Sequence, residues 1–182
     1  IEFAKACGFN GLRKHQKIED PRWLFHCDRL GMLVWSEMAN ARAWTESGEE
    51  ALLSEWSQAV IRDRSHPCII AWVPGNESWG FPGLRSGDDR QIESIKKLVA
   101  RTRELDKTRP VIDNDGWEHT CETDLCTIHD YTPTGDAIES RYVSGGEAFG
   151  VPTNTWLPGI HTFVKGCSYE GQPVLLTEVG GF

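Results

Sequence analysis

Two acidic residues occupy matching places in the chain. Glu77 follows the apolar run Ile69-Ile70-Ala71-Trp72-Val73 through Pro74-Gly75-Asn76. Glu178 closes the run Val174-Leu175-Leu176-Thr177, just before Val179-Gly180-Gly181. Short uninterrupted apolar runs of this kind read as strands buried on both faces of a parallel sheet. In parallel α/β architectures the C-terminal strand ends carry the chemistry. Two carboxylates delivered by separate strand ends are the equipment of glycoside hydrolysis. Either Glu alone would serve equally well as a helix cap or an ion-pair partner.

Other polar residues fall at further strand ends. Arg13 and His15 follow one, Glu37 another, Asp115 and Trp117 a third, and His129 and Tyr131 a fourth. They are candidate substrate-binding residues, since such positions ring one mouth when the strands close into a barrel. Arg13 and His15 would otherwise be ordinary ion-pair partners. Asn76, directly before Glu77, is a further candidate, although after Pro74-Gly75 it also reads as a turn former. A metal reading exists as well. His119, Cys121, Cys126 and His129 are close enough in sequence to resemble loosely a zinc set. Cys126 lies inside a strand pattern, where direction alternates, so convergence is not expected. No metal and no cofactor are predicted.

The elements that must position these residues alternate in type. Ile1 to Cys7 reads as a helix end closed by Gly8, and Phe9 to His15 as a strand. Asp20-Pro21 opens a helix with an N-cap and a proline at its first position, and Gly31 closes it. Met32 to Trp35 is the next strand. Ser47 with Glu50 forms a capping box ahead of the stripe Leu52, Leu53, Trp56, Val60 and Ile61. Asp88 or Asp89 caps a helix marked by Ile92, Ile95, Leu98, Val99, Thr102 and Leu105. Strands then follow at Val111-Ile112, running out at Asn114 to Trp117, and at Leu125 to Ile128. So short a separation leaves only a vestigial helix between them. From Thr132 to Gln172 periodicity is lost, apart from a short helix near Gly135 to Tyr142. Substrate-selecting loop residues are expected there.

This βαβ alternation gives about six parallel strands, in either a barrel or an open doubly wound sheet. No strand is followed by a dinucleotide fingerprint or a phosphate loop, which disfavours the open nucleotide-binding sheet. Polar residues at successive strand ends favour the barrel.

The bulk numbers agree. The 182 residues suffice for one domain with a real core. A net charge of −8 argues against a nucleic-acid partner. The apolar runs are far too short to span a membrane. The six cysteines are scattered, several in apolar or helical runs, and read mostly as free buried thiols. Eight tryptophans are many for this length; most are expected in the core, though sugar sites also use their flat faces. The chain opens at Ile1 within a helical pattern, so it is expected to be a piece of a longer one.

The segments Arg13-Lys14-His15, Asp20-Pro21-Arg22-Trp23, Gly31 to Trp35, Asn76-Glu77-Ser78, Pro110 to Trp117, Ile128 to Tyr131 and Leu176 to Gly181 occur in this order. Together they resemble the catalytic domain of glycoside hydrolase family 2, which holds β-galactosidases, β-glucuronidases and β-mannosidases. The resemblance covers essentially the whole chain, residues 1–182. It implies part of a (β/α)8 TIM barrel whose first and eighth strands are missing, and β-sandwich domains elsewhere in the parent chain. Such a piece alone is expected to be poorly stable and inactive. The activity implied is β-galactosidase-like: hydrolysis of terminal β-linked sugars on a carbohydrate substrate by a retaining mechanism. By resemblance Glu77 is the general acid/base and Glu178 the nucleophile. Asn76 would bond the sugar hydroxyl beside the anomeric carbon, and Tyr131 or His129 would bond Glu178. The alternative is a carbohydrate-binding barrel without turnover.

Overall fold

The computed structural model describes residues 1–142 and 157–180. Its elements in order are α1 (Glu2–Ala6), β1 (Gly11–Arg13), α2 (Pro21–Leu30), β2 (Leu33–Glu37), α3 (Glu46–Asp63) and β3 (Ile69–Val73). A short 3-10 turn (Pro82–Leu84), α4 (Asp89–Leu105), β4 (Cys126–Asp130), α5 (Gly135–Tyr142) and β5 (Val174–Val179) follow. No described helix is long and apolar enough to cross a membrane.

Local chemistry sets most boundaries as expected. The Asp20 side chain accepts from the Arg22 amide, Pro21 opens α2, and Gly31 stops it in the left-handed region at φ 65°. Asp88 caps α4. The expected Ser47/Glu50 box is not the cap of α3. Thr45 is, its hydroxyl accepting from Gly48 N at 3.0 Å. An extended Thr45 aims its oxygen at the third helical amide, so the helix starts one residue ahead of Ser47.

All strand pairings are parallel. One sheet runs β1-β2-β3 and a second pairs β4 with β5. The strand expected at Val111 to Trp117 is not a regular ladder. It makes two isolated parallel bridges to the β3 side, Trp72↔Val111 and Asn76↔Asp115. Asp113 and Asn114 turn their side chains onto backbone amides there, of Asn114 and Ser78, and interrupt the run. On its other side Gly116 O accepts from His129 N at 3.3 Å, so this stretch joins the two sheets.

The main core lies between the first sheet and helices α2, α3 and α4. Trp56 and Trp72 meet edge to face at 5.8 Å. Each is fully buried, and each indole N–H finds a partner, Thr102 Oγ1 and Asp106 Oδ2 respectively. Two of the eight tryptophans are therefore purely structural.

The cysteine expectation needs correction. Cys121 and Cys167 form a disulfide, while Cys27, Cys68 and Cys126 are free and buried and Cys7 is free and exposed. The returning loop pairs with the 118–119 backbone, through Glu118 N to His161 O and Val164 N to His119 O, which draws the two thiols together. Sequence spacing carries no trace of that return.

Candidate active site

Arg13, at the end of β1, is the hub of a polar cluster. Its Nε donates to Glu37 Oε2 at 2.7 Å and lies 2.8 Å from Asp115 Oδ2. One Nη donates to Glu178 Oε1 at 2.5 Å and the other to Asn76 Oδ1 at 2.7 Å. Four strand ends are thus tied by one planar fork, a geometry that lysine could not supply. Burial opposes the charge on Arg13, but Asp115 and Glu37 more than offset it and raise its pKa.

Glu37 is fully buried and takes a second bond, from Gln16 N. Burial pushes its pKa up to about 7 against the pull of Arg13. Asp115 is also fully buried, but it stays ionised, its pKa down at about 2 because His129 and Arg13 outweigh the burial. Both were expected at the mouth as substrate contacts. Neither is exposed; they hold Arg13 and His129 in place.

His129 lies in β4, opposite Glu178 in the pairing register. Its Nδ1 meets Glu77 Oε1 at 2.8 Å, and its Nε2 meets Asp115 Oδ2 at 3.1 Å. Burial favours the neutral ring, yet the bonds to Asp115 and Glu77 push its pKa up to about 9. Its two acidic neighbours therefore favour the protonated ring. Gly116 makes room for it: this residue sits at φ 104°, and a Cβ there would lie 2.6 Å from the ring. Because the folded pKa of about 9 exceeds the ordinary histidine value of 6.5, the stability His129 contributes is fully present below pH 6.5. It is lost as pH rises through 9. Urea midpoints of the native protein and of His129→Asn should therefore converge on the alkaline side. A gap that stays constant with pH would contradict this.

Glu77 follows Asn76 in a strained turn. Glu77 and Ser78 have φ 50° and 58°, both left-handed, at about 1–3 kcal/mol each. Asn114 Oδ1 accepts from Ser78 N, and Ser78 Oγ donates to Glu118, so the surrounding loop holds the turn. Asn76 is buried, its amide donating to Asn40 Oδ1. Its Nδ2 sits 3.3 Å from His15 Nε2, and His15 is itself largely exposed.

Glu178 accepts from the Tyr131 hydroxyl on its other oxygen. Burial raises its pKa, but the bonds from Tyr131 and Arg13 and the charge of His129 win and lower it. A carboxylate oxygen of Glu77, one of Glu178 and a ring nitrogen of His129 all lie within 4.8 Å of one another.

The structure brings together Glu77, Glu178, Asn76, Arg13, His15, His129 and Tyr131, with Glu37 and Asp115 beneath. Trp117 stands edge-on to His129 at 5.6 Å and is buried, its Nε1 without a partner among the described residues. Two residues escaped the sequence reading. Asn40 bonds both Asn76 N and Pro74 O, and Thr177 Oγ1 bonds Asp115 Oδ1. Asn40 lies three residues past the end of β2, so the strand-end rule was its available signal.

The zinc pattern does not converge: Cys121 is in its disulfide, and His119 spends Nδ1 on Asp113 and Nε2 on Thr127. Apart from the Glu77 cluster, one described trio could approach an ion: Asp28, His66 and Cys68, before β3. There Asp28 already ties His66 Nδ1 and Cys68 N, a structural clasp at the opposite end of the strand. Part of the loop expected to select the sugar, residues 143–156, lies outside the described residues.

Comparison with known proteins points the same way. Residues 1–140 match the family described as "Glycosyl hydrolases family 2, TIM barrel domain". The chain is 31% identical over 149 residues to a β-galactosidase of Photobacterium profundum, covering 76% of this chain and 13% of that protein. It is 31% identical over 113 residues to a putative β-glucuronidase of Formosa agariphila, covering 60% of this chain and 14% of that one. Among solved structures, Bacteroides uniformis β-glucuronidase 3 superposes with a TM-score of 0.54 at 26% identity, over 61% of this chain and 15% of that chain. The chain thus spans about one seventh of the length of such relatives. With parallel strands delivering both acids, and 140 consecutive residues matching the family's barrel domain, the chain belongs to glycosyl hydrolase family 2.

Proposed function

We propose that this chain carries the catalytic centre of a retaining β-glycosidase acting on terminal β-linked sugars. The observation that carries the reading is the separation of the two acids. One carboxylate oxygen of Glu77 and one of Glu178 approach within 4.8 Å, which supports the shorter of the two carboxyl spacings that glycosidases use. A retaining double displacement needs carboxyls about 5–5.5 Å apart, whereas inversion needs about 6.5–9.5 Å to admit a water.

In this mechanism Glu178 is the nucleophile. Its bonds from Arg13 and Tyr131 keep it ionised and aim one oxygen at the anomeric carbon. Glu77 is the acid/base, and the proton it gives to the departing oxygen is held by the Glu77–His129 pair. After the sugar is esterified to Glu178, Glu77 takes a proton from the attacking water. Asn76 has its oxygen occupied by Arg13 and its Nδ2 beside His15, so the second Nδ2 hydrogen is the one offered to the hydroxyl beside the anomeric carbon. That bond strengthens as positive charge develops on the sugar. His15, exposed at the rim, completes the sugar-facing set, and Glu37 and Asp115 act through Arg13 and His129.

The test is stereochemical. The full-length protein, given a panel of aryl β-glycosides and followed by proton NMR, should release the β-anomer first. First release of the α-anomer would sink the retaining assignment, and no turnover of any member would sink the enzyme reading.

A further inference from the structure

A cavity of about 440 Å³ opens against Glu77 but is not lined by Glu178, Arg13 or Tyr131. If Glu77 protonates the departing oxygen, a space that touches the acid and not the nucleophile is where the leaving group sits. Its volume is within the range of sites that hold one or two rings.

The walls are chemically specific. Trp79 lines the cavity with 54% of its surface exposed, and its Nε1 lies 3.3 Å from Glu77 Oε2. A large apolar ring is tethered beside the proton donor while its face stays open, an arrangement that suits stacking. Trp117 and Ile160, both buried, contribute further apolar wall.

The charges are unequal. Arg85 is committed to Glu118 at 3.1 Å, so that pair cancels. Arg42 also lines the cavity, is exposed, and pairs with no described residue. Among the described residues, then, one guanidinium without an ion-pair partner faces a space walled by tryptophan.

We propose that this cavity is a leaving-group subsite selective for β-glycosides of planar, anionic aglycones, with Trp79 stacking on the ring and Arg42 pairing with its acid group. The proposal rests on the reading of Glu77 as the acid. Trp79 and Arg42 are specificity residues: they contact the aglycone and take no part in bond breaking.

The experiment compares three glycosides of one sugar on the full-length protein: the 4-carboxyphenyl glycoside, its methyl ester and the glycosyl fluoride, whose leaving group leaves the cavity unfilled. At low salt the carboxylate should be preferred over the ester by about fivefold in kcat/KM, chiefly through KM, and the preference should shrink as salt is added. Arg42→Gln should bring that ratio to about one. Trp79→Ala should lower both aryl substrates relative to the fluoride by about tenfold, and Trp79→Phe should recover most of it. Competitive inhibition by 4-hydroxybenzoate should weaken in Arg42→Gln, a binding readout separate from turnover. Turnover with an ester preference, or a carboxylate preference that survives Arg42→Gln, overturns the subsite and leaves the glycosidase reading standing. No turnover of any of the three overturns both.

Discussion

Replacing Glu178 by Gln should lower turnover of an activated aryl β-glycoside by on the order of 10⁴–10⁶-fold. The loss has two parts. An amide has no ionised oxygen to form the glycosyl ester, so the covalent route closes. The amide also faces two donors, Arg13 Nη1 and the Tyr131 hydroxyl, each aimed at an oxygen. If the NH₂ faces Arg13, two donors oppose each other and the ion pair is lost; if it faces Tyr131, the hydroxyl must turn to accept. Glu178→Ala separates the parts, since it opens space for a small anion. Azide should partly restore turnover of Glu178→Ala and yield the α-glycosyl azide, the product of direct attack from the vacated side. A 2-fluoro glycoside should label the native protein on the peptide that contains Glu178. Label on another residue, or a Gln variant within tenfold of native, would mean that Glu178 only anchors Arg13 and Tyr131.

Much of the site was legible in the sequence because strands in a parallel sheet announce their ends. Ile69 to Val73 and Val174 to Leu176 are uninterrupted apolar runs, and one oxygen of each acid that follows them lies within 4.8 Å of the other. The α2 boundaries were equally readable, because Asp20, Pro21 and Gly31 each act within a residue or two of themselves. What was hidden depends on distance along the chain. Arg13 joins partners 24, 63 and 165 residues away, and no local pattern marks it as the centre. Glu37 and Asp115 were placed at the mouth because strand ends lead there. Burial by Arg13 and His129 is a tertiary outcome that strand-end position does not encode. The Val111 to Trp117 strand failed as a regular ladder for a local reason. Asp113 and Asn114 satisfy turn amides with their side chains, a competition with strand pairing that those residue types could have signalled.

Replacing Glu77 by Gln should produce a loss that depends on the leaving group. Glu77 has two tasks in the proposed cycle, giving a proton to the departing oxygen and later taking one from water. A 2,4-dinitrophenolate departs without protonation, so its first step should slow only slightly. An alkyl or sugar alkoxide needs the proton, and its turnover should fall by about 10²–10⁴-fold. For the activated substrate the second step then becomes limiting. The glycosyl–enzyme should accumulate, with a burst of phenolate followed by slow release. Azide, which needs no general base, should speed that release and give the β-glycosyl azide, opposite in configuration to the Glu178→Ala product. The structure offers a competing account, since Glu77 also touches His129 and Trp79 at 2.8 and 3.3 Å. If holding those neighbours were its whole role, Gln would slow every substrate by the same factor, show no burst and gain nothing from azide. The slope of rate against leaving-group acidity therefore decides between proton transfer and scaffolding at this one residue, and the opposite azide anomers from the two variants would place Glu77 and Glu178 on opposite faces of the sugar.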